Sequence, residues 1–254
     1  MPHTVLRGPR EVARQPELDS ERAIVRAVRG AGVPEHVPVQ VENNVNCAAL
    51  AEQRDGCARD ERTFAMLQIG VGIGIGLVLD GRLFTGANGV AGEASVMPFP
   101  WHPGGVPQHE GLERHLGSAG LMQRVAAAWP RDAGPCPATA EALFRLAGAT
   151  DVDGRRSSTA RRMVDDHAVE VGRLAAALVS LVDPGLVVLS GGVGSNPLLL
   201  PGVRSVLDTL PWPTRVVPSP LGVSATLTGV TRLAVASAVQ DLLARLADPV
   251  ALPG

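Results

Sequence analysis

The sequence predicts a layered α/β protein, and three observations carry that prediction. Short apolar runs rich in β-branched residues alternate with longer segments whose apolar residues recur every three or four positions. One run, 186–189, is apolar throughout, as a strand covered on both faces must be. And 254 residues, 45% hydrophobic and 19% charged, suffice to bury a core in one domain or in two lobes.

In chain order, the first 18 residues carry Pro2, Pro9 and Pro16 with little apolar pattern and read as a loose lead-in. Ser20 is placed to cap a helix over 21–29 that Gly30 ends. Val37 to Val41 fits a short strand. An Ala-rich helix is expected over 47–54, closing near Gly56, with Asn44 or Asn46 as its cap. Residues 64–69 read as a strand, and Asp80-Gly81 joins 77–79 to 82–84 through a tight hairpin turn. Residues 86–92 form a loop, and the Pro- and Gly-rich stretch 98–111 is irregular. Helices follow over 112–128 and 138–146. The strongest helix runs over 157–182, where Val164, Ala168, Val171, Leu174, Leu178 and Leu181 make one buried face that Pro184 terminates. The apolar strand 186–189 then enters Ser190-Gly191-Gly192-Val193-Gly194, followed by a helix over 197–210, a strand over 215–217 and a helix over 226–246.

Composition removes several classes of function. The formal net charge is -2, every basic residue is Arg, and no helix carries a basic face, so direct nucleic-acid binding is not expected. Cys47, Cys57 and Cys136 are odd in number and form no CxxC pair, which argues against a disulfide framework. The first residues lack an apolar signal core, and no run reaches the roughly 18 apolar residues of a membrane span. The expected setting is cytoplasmic, with no membrane partner.

Three segments can carry chemistry. Gly70-Val71-Gly72-Ile73-Gly74-Ile75-Gly76 follows a strand, and glycines let backbone N–H groups approach a phosphate. The same spacing also suits a twisted hairpin with tight bends. Gly191-Gly192 sits between a buried strand and a helix, where ligands of α/β proteins gather, although an ordinary strand-to-helix turn would look alike. The amides of Glu42-Asn43-Asn44-Val45-Asn46 can donate to and accept from hydroxyls, as a polyol requires, or cap a helix. Glu93 and Glu113 are carboxylates beside flexible turns.

Taken together and in order, these segments resemble the ROK family, which groups bacterial sugar kinases with sugar-responsive transcriptional repressors. The likeness runs over about 34–245 and rests on four stretches. Val41 to Asn46 with Ala48 to Glu52 resembles the sugar-site strand and helix. Ile69 to Leu83 resembles the second phosphate loop and hairpin. Gly89-Val90-Ala91-Gly92-Glu93 resembles the sugar-binding turn. Val182 to Gly192 resembles the adenosine-side strand and turn. The resemblance implies an actin-like fold of two α/β lobes around a cleft, with the first strands of the N-terminal lobe missing. It divides the chain into a lead-in and lobe remnant over 1–36 and a sugar-binding domain over 37–254. Asn43, Asn44, Glu93 and Glu113 match positions that hold sugar hydroxyls, and Gly70, Gly72, Gly191 and Gly192 stand as a nucleotide-side remnant.

Departures from the family pattern shape the expected function. Family kinases carry an Asp base where this chain has Asn44, and loss of a general base typically costs about 10²–10⁴-fold in rate. Val96 stands where the family has a zinc-binding His, and 97–115 contain no Cys, so neither zinc nor another metal is expected. Val71 replaces a Thr that contacts phosphate. Residues 1–36 show neither the family's Asp-x-Gly-x-Thr loop nor a repressor's helix-turn-helix. The departures lead to the expectation of a sugar-binding protein without kinase activity, the ligand-sensing part of a transcriptional regulator, with no cofactor. An ATP- and magnesium-dependent hexose or amino-sugar kinase is the alternative, and a truncated vestigial product a third reading. An exposed sheet edge and the family likeness both point to self-association.

Overall fold

The computed structural model describes residues 16–149 and 154–247. The lead-in over 1–15 lies outside the described residues. The first helix, α1, spans Pro16–Gly30, so it begins earlier than 21 and Ser20 lies inside it. Pro at a first helical position costs no hydrogen bond and brings a φ already suited to the helix. The segment 37–41 is not a strand. Its β-branched residues find no neighbouring ladder, and the Arg29 guanidinium donates to the Val37 carbonyl at 2.8 Å.

Helix α2 spans Asn44–Asp55, with Asn43 as its cap through a 3.1 Å bond from the Val45 N–H to Asn43 Oδ1. The cap is therefore neither of the two asparagines singled out from the sequence. Strands β1 (Phe64–Ile69), β2 (Ile73–Leu79) and β3 (Arg82–Phe84) form a meander. Both Asp80 and Gly81 have positive φ, as the expected hairpin turn demands. Because β2 starts at Ile73, the glycine-rich stretch is a three-residue turn, Gly70 to Gly72, with Gly74 and Gly76 inside the strand. Gly76 has a reason to lack a side chain: a Cβ there would lie 2.9 Å from the Val45 carbonyl oxygen of α2.

The helix expected over 112–128 is two helices, α3 (Gly111–Leu116) and α4 (Ser118–Ala128). The break is tertiary in origin. Gly117 is extended, a Cβ on it would lie 2.8 Å from the Val71 carbonyl oxygen, and the Ser118 N–H donates to the Gly70 carbonyl at 2.7 Å. The chain thus leaves the helix to dock on the glycine turn. Helix α5 (Ala140–Ala147) is capped by Thr139, and α6 spans Gly154–Val182. The buried face of α6 is as expected except for Leu181, which is 84% exposed. Strand β4 (Leu186–Ser190) is buried at every position. A single turn, α7 (Gly191–Gly194), follows, then α8 (Leu200–Leu207), β5 (Arg215–Pro218) and α9 (Ala225–Ala247).

The sheet is mixed, in the order β3-β2-β1-β4-β5; β1, β4 and β5 are parallel, and β2 is antiparallel to its neighbours. Strand alternation divides the core in two. Ala65, Leu67, Ile69, Val187 and Leu189 face α6 and its neighbours, whereas Phe64, Met66, Leu186 and Val188 face α2. Helix α9 packs on α2 so closely that Gly229 lies against the Cys47 carbonyl. Its outer side leaves Leu227, Val235, Val239, Leu242 and Leu243 exposed. No uninterrupted apolar run was expected of membrane length, yet by length and average composition Gly222–Leu243 is apolar enough to cross one, at mean hydropathy 1.3.

Candidate functional site

At the carboxyl ends of β1 and β4 the sheet opens into a cleft of about 410 Å³. Asn44, Glu113, Gly70, Gly72, Gly191 and Gly192 line it, so one cleft brings together six of the eight residues singled out from the sequence. Asn44 arrives on the first turn of α2, and the hydroxyl of Thr226 on α9 donates to its carbonyl at 3.3 Å. Glu113 arrives on α3, where its Oε2 accepts from the Ile73 N–H at 3.1 Å, tying the carboxylate to the start of β2. The two glycine turns meet back to back: a Cβ on Gly70 would lie 3.5 Å from the Gly192 nitrogen. Gly191 has φ 85°, and a Cβ there would strike the Ile69 carbonyl oxygen at 2.4 Å. No side chain other than hydrogen fits, which leaves this end of the cleft lined by backbone.

The other two, Asn43 and Glu93, bond each other beside the cleft. Asn43, 5% exposed, donates from Nδ2 to Glu93 Oε1 at 2.8 Å, and Glu93 Oε2 accepts from the Ser95 hydroxyl at 3.2 Å. Glu42 Oε1 accepts from both the Asn43 N–H and Asn46 Nδ2 at 3.0 Å. Charge-assisted bonds of this kind hold the amides in fixed orientations. The turn that carries Glu93 is pinned on β2 by the 3.0 Å bond from the Ile75 N–H to the Gly92 carbonyl.

The loop 97–110 follows the turn that carries Glu93 and leads into α3. Among the described residues no three His, Cys, Asp or Glu side chains converge as a metal site requires. Packing holds the loop instead: Phe99 bridges to Gln108, meets Trp101 edge-on and stacks on His115 with ring centroids 4.5 Å apart. His115 belongs to a brace between α3, α4 and α6. Arg124 on α4 donates to the His115 carbonyl and to His167 Nδ1 at 3.1 Å. Burial, with Arg124 and His115 nearby, pushes the His167 pKa down to about 3. His115 is shifted the same way by burial and then by Arg124.

Two further polar side chains near the site were not singled out from the sequence. Gln68 lines the cleft at the end of β1, where one carboxamide among apolar residues was the available signal. Glu52, fully buried, accepts from the Cys57 N–H at 2.9 Å and from the hydroxyl of Ser219. It joins α2 to the segment after β5.

Known proteins place this geometry. The bifunctional enzyme NanE/NanK of Brucella suis is 33% identical over 208 residues, covering 81% of this chain and 36% of that protein. The glucokinase of Streptomyces coelicolor is 31% identical over 186 residues, 66% of this chain and 56% of its own length. The chain therefore spans only about a third to a half of such curated relatives. Among solved structures, a ROK hexokinase from Thermus thermophilus superposes with TM-score 0.63 at 33% identity, covering 83% of this chain and 70% of that one. A ROK transcriptional regulator has TM-score 0.64 at 24% identity, with 89% of this chain and 57% of that one covered, a likeness of fold alone.

These relatives correct the expectation of a sensor without enzymatic activity. Most of the proteins similar in sequence are named as sugar kinases, among them an N-acetylmannosamine kinase, a beta-glucoside kinase and a glucokinase. The neighbours share the actin-like α/β architecture that the resemblance implied. With the ROK model matching 34–236 and the cleft assembled by the same segments that carry that match, the chain belongs to the ROK family.

Proposed function

We propose that the chain serves ATP-dependent phosphorylation of a hexose or N-acetylated amino sugar. The observation that carries this reading is the single cleft in which the amide of Asn44 and the carboxylate of Glu113 face the glycine turns 70–72 and 191–192. The first pair supplies hydroxyl partners, and the turns supply backbone N–H groups and room for phosphate. The names of the sequence relatives, which act on sugars through kinases, support the substrate class. Asn43 and Glu93, bonded to each other, hold the adjoining wall of the sugar side.

Without a Cβ at Gly70, Gly72, Gly191 and Gly192, the turns let nucleotide phosphates approach backbone N–H groups closely. A bound magnesium nucleotide would supply the phosphoryl group. Asn44 orients the attacking hydroxyl but cannot take its proton, since an amide is not a base near neutral pH. Phosphoryl transfer proceeds through a loose transition state in which positioning and charge stabilisation dominate, so the reaction survives this loss at reduced rate. Restoring a base with Asn44→Asp should raise kcat by about 10²-fold or more. The test is sugar-dependent ADP release by the full chain and by Asn44→Asp with glucose, N-acetylglucosamine and N-acetylmannosamine. Turnover in both, faster in the variant, supports the kinase reading; none in either with any sugar overturns it.

A further inference from the structure

We propose that Gln68, oriented by Ser190, is a phosphoryl-binding side chain of the cleft. The inference rests on the kinase reading only for the source of the phosphoryl group. Strand β1 reads Phe-Ala-Met-Leu-Gln-Ile, five apolar residues and one carboxamide at the central strand's carboxyl end. Gln68 pairs in register with Ser190 on β4 and Gly74 on β2, and lines the cleft beside Gly191 and Gly192. Its amide has no hydrogen-bond partner among the described residues. Ser190 is 3% exposed, and its hydroxyl is also unpartnered among the described residues. A buried hydroxyl left unpaired is costly unless something joins it, and the Gln68 amide is the polar group at the same register position on the adjacent strand.

The cleft defines what does. Of its lining side chains only Asn44 and Gln68 carry N–H donors, and Glu113 carries the negative charge. An anion is therefore repelled from the Glu113 end and drawn toward Gln68, where the backbone of Gly70, Gly72, Gly191 and Gly192 surrounds it. The Val71 side chain, 86% exposed and without a hydroxyl, offers the anion no hydrogen bond. Gly191 keeps the approach open, because a Cβ there would sit 3.1 Å from Gln68 Cγ. With a phosphoryl group in place, Gln68 Nε2 donates to a phosphoryl oxygen. The Ser190 hydroxyl donates to Gln68 Oε1 and fixes which end of the amide faces the cleft. Gln68 is thus a binding residue, and Ser190 a positioning residue behind it.

The experiment is calorimetric titration of the full chain with inorganic phosphate, magnesium ADP, a non-hydrolysable ATP analogue and hexose 6-phosphate. Wild type is compared with Gln68→Glu, Gln68→Met and Ser190→Ala. Gln68→Glu keeps the shape and places a negative charge against the anion, so phosphate-containing ligands should bind about 10-fold more weakly or worse. Gln68→Met should lose several-fold and Ser190→Ala less, with affinity for unphosphorylated sugar unchanged in all three. A larger loss for the nucleotides assigns the contact to nucleotide phosphate; a larger loss for hexose 6-phosphate assigns it to the sugar product. If Gln68→Glu does not fold, the other two variants carry the comparison. Unchanged anion affinity, a loss confined to sugar binding, or a wild type that binds no phosphate compound overturns the inference. Gln68-dependent anion binding without turnover would instead remove the kinase reading and leave Gln68 in its role.

Discussion

At Gly92 a Cβ would lie 1.9 Å from the Ile75 carbonyl oxygen, and the residue has φ 88°. Gly92→Ala must therefore move the turn that presents Glu93, at a cost of roughly 1–3 kcal/mol. Denaturant unfolding should register that loss, and sugar affinity should fall with it as the Asn43–Glu93 bond loosens. Glu52 is a second case. Glu52→Ala removes the acceptor for the Cys57 N–H and the Ser219 hydroxyl in a fully buried place. Each orphaned donor costs about 1–3 kcal/mol, so the variant should unfold at clearly lower urea. Burial also raises the thiols of Cys47 to about 11 and Cys57 to about 12, so neither should alkylate near neutral pH while the fold is intact. The residue scale divides by visibility. Glu93 and Asn44 were legible because their motifs have neighbours of fixed type. Gln68 and Glu52 were not, because their importance comes from partners more than a hundred residues away in the chain.

Elements were legible where periodicity alone decides them, as in β1, β4 and α6, and failed where tertiary contact decides. The run 37–41 has strand composition and no strand to pair with. The break between α3 and α4 arises from docking on the Gly70 turn, which no local signal announces. The brace between α4 and α6 has a consequence in pH. The buried ring of His167 is neutral, with its pKa near 3 against 6.5 unperturbed. In the unfolded chain the ring takes up a proton as pH falls through about 6.5, while the folded form resists until about 3. Its contribution is whole above pH 6.5 and is lost as pH falls toward 3. The steepest loss is on the order of 1.4 kcal/mol per pH unit. Urea midpoints at pH 7.5, 6 and 5 should decline accordingly. His167→Gln, which still accepts from Arg124, should flatten the trend; an equal slope in the variant would assign it to other groups.

For the whole molecule, the α/β class and the order of strands and helices followed from alternating patterns. The sheet order β3-β2-β1-β4-β5 did not, since adjacency of distant strands leaves no local mark. The cleft is assembled from stretches far apart in the chain: Asn44 on α2, the end of β1 with its turn, Glu113 on α3 and the turn after β4. A ligand that binds across them must oppose global unfolding. At a concentration of about 100 Kd the added stability is about 2.7 kcal/mol. In a domain of this size that corresponds to a Tm rise of roughly 5–10 °C, readable by scanning fluorimetry. A sugar and a magnesium nucleotide that each raise Tm, and together raise it further, would show that the cleft holds both.

The alternation along β1 also sets which changes in chain length the gene can absorb. Even and odd positions of that strand serve different layers, so inserting or deleting one codon between Phe64 and Gly70 would exchange the layers. Leu67 or Ile69 would then face the cleft, and Gln68 would enter the core under α6. The stretch 101–110, mostly exposed and irregular, carries no such parity. Insertions and deletions that persist in this chain should therefore accumulate there and be absent from the six residues of β1.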